Sequence, residues 1–233
     1  MKFENTEVWG FKHALRGMRN AMESWDKSDS HYGCDDEMNC QKCNTSDEGC
    51  VNYNGNYTIG ENDMKLAQTL IKAGSADAKY LRMIHVAVDT DMPRYWWSEA
   101  DTYHFNTKNS CSTMHKLLNN NKPITLDMFV ICDEDIDWWI NTVNKLEAMR
   151  LEYKEIQRTT KDSKTMNRLL VRAKRMLPEG FEQKRTWDTN YAELRNMYFQ
   201  RRYHRLKEEW VDTFCKWIES LPYAKELIMY EAN

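Results

Sequence analysis

"AKRMLPEGFEQKRTWDTNYAELRNMYFQRRYHRLKEEW", residues 173–210, decides how the chain is read. Pro178 and Gly180 end a helical run, because proline lacks a backbone donor and disfavours helix in the residue before it. Beyond the break, residues 189–222 read as one or two helices that stop before Pro222. With Leu194 at the centre of a stripe, Tyr198, Arg201 and Arg205 fall within about 40° of it on a helix. Trp210, Phe214, Trp217, Ile218 and Leu221 carry the apolar face onward. Two arginines on an apolar stripe need a carboxylate, carbonyls or a bound anion, because an unpaired buried charge is too costly to keep. Glu193, Glu208 and Glu209 are nearby in sequence, so an internal ion pair and a ligand anion both remain open.

Upstream, residues 135–176 read as helix interrupted by the polar "TTKDSKT", 159–165. "KYLRMIHVAVDT", 79–90, is the best strand candidate; both alternating sets are largely apolar, which predicts a strand covered on both faces. On that reading His85 is a satisfied core histidine. "PITLDMFVI", 123–131, fits a strand or a helix start. Residues 61–74 predict a helix with Met64, Leu66, Ala67, Leu70 and Ile71 on one side and Gly74 at its end. Residues 1–30 predict an extended start and then a helix carrying Ala14, Leu15, Met18 and Met22. The sum is a helix-rich α+β fold in one domain, 1–233.

Residues 31–60 differ in character and read as a Cys-rich, zinc-knuckle-like insertion. Cys34, Cys40, Cys43 and Cys50 give the spacing C-x5-C-x2-C-x6-C, and four thiolates with a C-x2-C knuckle satisfy tetrahedral structural zinc. Four unligated cysteines in a loop are the plainer alternative. Cys111, Cys132 and Cys215 are scattered and read as small buried hydrophobes.

"DTYHFNTKNSCSTMHK", 101–116, crowds hydroxyl, amide and imidazole groups directly after Tyr95, Trp96 and Trp97. It is either a solvated loop or a segment built to hold something polar. Trp96, Trp97, Trp138 and Trp139 read as core or subunit-interface anchors rather than a stacking platform for bases. The chain has 233 residues, 12% aromatics and 30% charged side chains, which describes a folded domain with a very polar surface. No stretch approaches a membrane span, the start has no secretory apolar core, and a cytoplasmic protein is expected. A net charge of -3 gives no support to a general nucleic-acid binder, although seven Lys/Arg between Lys184 and Lys207 make that region locally cationic.

Together these segments resemble the flavin-dependent thymidylate synthase family (ThyX). The family shows an Ala-Arg-x-x-Leu-Pro break, then Thr and Asn before a helix with an Asn or His, and an Arg five residues later. Ala173, Leu177, Pro178, Thr189, Asn190, Asn196 and Arg201 stand in matching order. The opening of the 101–116 segment falls on the family signature Arg-His-Arg, two spacers, Ser, four spacers, Ser, one spacer, Arg. On that frame this chain has Thr102, Tyr103, His104, then Thr107, Ser112 and Met114, so the spacing and hydroxyls remain and the three arginines are replaced.

The resemblance implies a ThyX-like fold, a central mostly antiparallel sheet flanked by helices, assembled as a homotetramer with sites between subunits. It implies FAD as cofactor, with His104, Thr107 and Asn196 contacting it, and a pyrimidine nucleotide such as dUMP held by Ser112, Arg201 and Arg205. It raises the bound-anion reading of Arg201 above the internal pair. The activity implied is flavin-dependent methylation of dUMP. The alternative is a ThyX-scaffold protein, phage or mobile-element encoded, that has lost flavin chemistry and serves as a nucleotide-binding or interaction module. Lys184, Arg185 and Arg202 are the cations available to replace the signature arginines.

Overall fold

The computed structural model describes residues 1–32 and 57–231. Cys34, Cys40, Cys43 and Cys50 lie outside the described residues. Among the described residues no group of three or more His, Cys, Asp or Glu could hold a metal ion, and no helix is long and apolar enough to cross a membrane.

In chain order the elements are β1 (Lys2–Trp9), α1 (Phe11–Met18), β2 (His31–Tyr32), β3 (Tyr57–Thr58), α2 (Glu61–Ala73), β4 (His85–Pro93) and α3 (Arg94–Ala100). There follow β5 (Thr107–Ser110), α4 (Thr113–Lys116), α5 (Ile136–Arg158), α6 (Ser163–Met176), β6 (Glu182–Asn190), α7 (Tyr191–Arg201) and α8 (Lys216–Glu219). Two π-helical stretches, Lys207–Cys215 and Ala224–Ile228, and several 3-10 turns complete the set. The helix-rich α+β class expected from the sequence is the class observed.

Four strands form one sheet in the order β1-β4-β6-β5. Side-chain pairs give their directions. Asn5 donates to Asp89 at 3.0 Å and Trp9 stacks on His85 at 5.4 Å, so numbers rise along β1 as they fall along β4. Thr186 donates to Asp89 at 2.6 Å and Lys184 lies 3.6 Å from Asp91, which makes β4 and β6 antiparallel as well. The Cys111 amide donates to the Lys184 carbonyl at 2.9 Å while Lys108 sits over Trp187, so the β5 side runs opposite to β6.

β4 corrects the strand expectation. It begins at His85, after a 3-10 turn over Ala78–Met83, and of its alternating positions Val86, Val88, Thr90 and Met92 are buried, with Pro93 buried at its end. His85, Ala87, Asp89 and Asp91 are half-buried, so the strand is covered on one face and alternates as such strands do. His85 is no core histidine: it stacks on Trp9, which is 44% exposed, and lies 3.6 Å from Asp188.

The chain divides into two compact units, residues 1–5 with 88–187, and residues 6–87 with 188–233. In the first, α5 and α6 form a helical hairpin whose inner faces bring Trp139, Val143, Leu146, Leu169 and Ala173 into one apolar cluster. Asp162 caps α6 by accepting from the amides of Lys164 and Thr165, which is why the polar "TTKDSKT" turns the chain here. Trp96, Trp97 and Trp187 pack edge-to-face in a second buried group, whereas Trp138 is exposed on α5. Residues 123–131 are neither strand nor helix start; a 3-10 turn spans Leu126–Met128, and Phe129 bridges to Phe181. Gly180 makes that bridge possible, since a Cβ there would lie 2.5 Å from the Val130 carbonyl oxygen.

In the second unit, α1 begins after Gly10, whose φ of +98° and approach to the Met83 carbonyl leave no room for a side chain. The N-terminus of α2 is closed from outside the helix: Asp29 accepts from the amides of Asn62 and Asp63 at 2.8 and 3.1 Å. Asp63 is fully buried and receives Arg19 Nε at 2.6 Å together with the hydroxyls of Ser28 and Ser30. Burial opposes its ionisation, but the three hydrogen bonds and the Arg19 charge outweigh this and hold the carboxyl below the usual range. α7 stops at Arg201, and a turn intervenes before the π-helical stretch, so the stripe drawn through Leu194 and Tyr198 does not reach Arg205. Cys215 is buried and its thiol is pushed up to about 12, but Cys111 and Cys132 are exposed, contrary to expectation.

Candidate nucleotide site

The segment 101–116 contributes to the walls of two adjoining cavities in the first unit. Trp97 and Trp96 are buried on α3, which leaves Asp101 at the helix end and turns the chain outward. Tyr103 is buried, and the Asn106 amide donates to the carbonyls of Tyr103 and His104, both at 2.9 Å, closing a tight loop. Phe105 at the tip has φ of +57°, an uncommon conformation for an aromatic residue. β5 then runs through Thr107, and Ser112 caps α4 by accepting from the His115 amide.

One cavity, of about 260 Å³, is almost wholly polar: Arg94, Lys174 and Arg185 meet Asp101, Glu179 and Gln183, with Thr113 and Ser98 completing it. Arg94 pairs with Glu179 at 3.1 Å. Arg185 lies 4.2 Å from the Trp97 ring centroid and donates to both Asp101 oxygens at 2.9 and 3.1 Å, with its Nε buried and unbonded. Among the described residues Lys174 is hydrogen-bonded to no carboxylate, although the Glu179 charge favours it; its ammonium donates to the Thr113 hydroxyl. Burial, and then the Arg94 charge, push its pKa down. A half-buried ammonium beside two guanidinium groups is a place where an oxyanion is favoured.

The second cavity, about 380 Å³, shares Thr113 and Gln183 with the first. Its floor is apolar, from Leu117, Ile124, Met128 and Phe181, and its rim carries Ser112, Lys116 and Lys184. A polar pocket for an anion opening onto an apolar floor for a ring suits a nucleotide.

The six proposed ligand-binding residues do not share these walls. Ser112 lines the larger cavity. His104 and Thr107 are exposed on the same segment and line neither cavity. Asn196, Arg201 and Arg205 belong to the other unit. There Asn196 is exposed and accepts from Gln200 at 2.8 Å, Arg201 lies 4.5 Å from the Trp210 centroid, and Arg205 is exposed. Of the replacement cations, Arg202 pairs with Glu231 at 2.7 Å and Lys184 lies near Asp91, while Arg185 alone faces the polar cavity.

Arg94, Lys174 and Gln183 were not singled out by the sequence reading. For Lys174 a signal existed, since it occupies the arginine position of the Ala-Arg-x-x-Leu-Pro break as a second cation. Gln183 sits in "EQKRTWDTN", a strand that only Trp187 marks as partly apolar, and nothing local shows which way its residues face.

No protein-family profile matches the chain, and no curated protein matches it by sequence. Solved structures do. One, the flavin-dependent thymidylate synthase ThyX of Helicobacter pylori in complex with FAD and dUMP, superposes with a TM-score of 0.62 at 14% identity, over 98% of this chain and 97% of that one. A second structure of the Helicobacter pylori enzyme with FAD and dUMP gives a TM-score of 0.63 at 15% identity, over 98% and 96% of the two chains. The chain carries the fold of the flavin-dependent thymidylate synthases.

Proposed function

We propose that the chain binds a pyrimidine nucleoside monophosphate of the dUMP type. The observation that carries this reading is Lys174, a half-buried ammonium that among the described residues is hydrogen-bonded to no carboxylate, in a cavity that also holds Arg94 and Arg185. The phosphate occupies that cavity, and the ring lies over Leu117, Ile124 and Phe181 beside Ser112. The fold supports the choice of ligand, because the Helicobacter pylori enzyme that shares it has been crystallised with dUMP. Calorimetric titration with dUMP and with inorganic phosphate tests it: both bind, dUMP more tightly. Absence of heat and of thermal stabilisation at millimolar dUMP would refute it.

Flavin-dependent methylation of dUMP is the second reading, favoured by the extent of the fold match to proteins crystallised with FAD as well as dUMP. The flavin would supply the redox and group-transfer chemistry, with His104, Thr107 and Asn196 as its contacts. The described residues fit it poorly. The signature arginines are absent, and Lys108, the cation within β5, is engaged by Asp101 at 3.3 Å and turned onto Trp187. No catalytic step is therefore assigned to this chain. Absorbance near 450 nm in the purified protein, or after FAD is added, distinguishes the two readings. A homo-oligomer belongs to both, supported by the apolar side chains of Trp138, Ile140 and Leu151 exposed on α5. Light scattering tests that assembly, and zinc at the four cysteines is open to elemental analysis.

A further inference from the structure

Gln183 is held at both ends. Its main-chain carbonyl accepts from the Trp97 indole at 3.0 Å, and its side-chain Nε2 donates to the Cys111 carbonyl at 3.0 Å. The second bond fixes the orientation of the amide, because a backbone carbonyl only accepts and so must face the NH2 end. Oε1 is left as an acceptor with no protein partner among the described residues, on a side chain that lines both the polar cavity and the apolar-floored one.

We propose that Gln183 is the residue that selects the pyrimidine: its Oε1 accepts the hydrogen bond of a ring imide, N3–H of uracil. The inference rests on the nucleotide reading and deepens it. A cytosine ring in the same pose presents an N3 lone pair to the Gln183 oxygen, acceptor against acceptor, and a uracil methylated at N3 presents a methyl group. Both lose the bond, and both leave a desolvated acceptor facing the wrong group. The amide cannot rotate to suit cytosine without giving up its bond to Cys111.

The test is calorimetric titration of the wild-type protein and Gln183→Leu with dUMP, dCMP and dUMP methylated at N3. The wild type is expected to bind dUMP at least about tenfold more tightly than either analogue, and Gln183→Leu to bind all three within about threefold. The methylated ligand tests the unaltered protein, so the outcome does not depend on the variant folding; a melting curve checks the variant itself. Equal binding of dUMP and its N3-methyl form by the wild type, or an unchanged preference in a folded Gln183→Leu, overturns the role of Gln183 and leaves nucleotide binding standing. Failure of the wild type to bind any of the three overturns both.

Discussion

The ammonium of Lys174 donates to the neutral hydroxyl of Thr113, 61 positions away in the chain, and to no carboxylate. Glu179 offsets part of its charge, and an arriving anion would offset more. Replacing it by methionine is expected to weaken dUMP binding roughly ten- to a hundredfold, the worth of a charge-assisted hydrogen bond of about 1.5–3 kcal/mol. Lys174→Arg should retain most of the affinity. Because burial and Arg94 lower the Lys174 pKa from 10.5, the free protein loses this charge at a lower pH than an ordinary lysine would. Affinity for inorganic phosphate, which has no imide to titrate, should therefore decline before pH 10.5 as pH rises from about 8, and the decline should vanish in Lys174→Met. The unfolded chain binds this proton more tightly than the folded one, so this group makes stability rise with pH across the same window.

Asp101 holds Arg185 and Lys108 together, at 2.9 and 3.3 Å, and cancels part of the positive charge of the polar cavity. Asp101→Asn should raise affinity for phosphate and dUMP by a few-fold. Its stability should fall by no more than about 1 kcal/mol, as expected of an exposed carboxylate pair. Isothermal titration and thermal melting of the variant measure the two effects separately.

The ion pair of Arg19 with Asp63 makes a larger contribution, because both side chains are almost fully buried. Asp63→Asn leaves the Arg19 guanidinium without its charge partner, and Asp63→Ala also removes the acceptor of the Ser28 and Ser30 hydroxyls. Urea unfolding of the alanine variant should show a loss of about 3–5 kcal/mol. Since the folded-state pKa of Asp63 is depressed, its contribution is present above the unfolded carboxyl value, about 4, and is lost as pH falls below it through the folded value.

Gly10 offers a backbone test of the start of α1. An alanine Cβ would lie 2.0 Å from the Met83 carbonyl oxygen, at a φ of +98° that alanine rarely adopts. Gly10→Ala should cost at least about 2 kcal/mol in chemical unfolding, whereas Gly74→Ala, with no atom within 4 Å, meets only the conformational penalty of its positive φ.

The helices were legible in the sequence because their signals are local. Asp162 as a cap, Pro178 as a stop and the apolar spacing of residues 61–73 each act within a turn or two. β6 was not legible: its half-buried positions carry Glu182, Gln183, Arg185 and Asp188, whose environment is set by strands distant in sequence. The same holds for the cavities. Ser112 was singled out from motif spacing and lines the larger cavity, whereas Gln183 reaches the walls of both cavities on β6 through sheet pairing and Arg94 reaches the polar one at the start of α3, placements that no local pattern encodes. Arg205 went wrong for the converse reason. A periodic stripe was extended past Arg201, where the helix ends.

β2 and β3 have a structural consequence of their own. His31 pairs with Thr58 and Tyr32 with Tyr57, while the Tyr223 hydroxyl accepts from the Ile59 amide and donates to the Tyr57 carbonyl. Tyr32 and Tyr57 are therefore held a single strand spacing apart, by groups of the described chain alone. A two-residue Asn-Gly turn joining Tyr32 to Tyr57 would close the same ladder. The four cysteines could then be removed, or exchanged for another module, without altering the register of the protein that carries them.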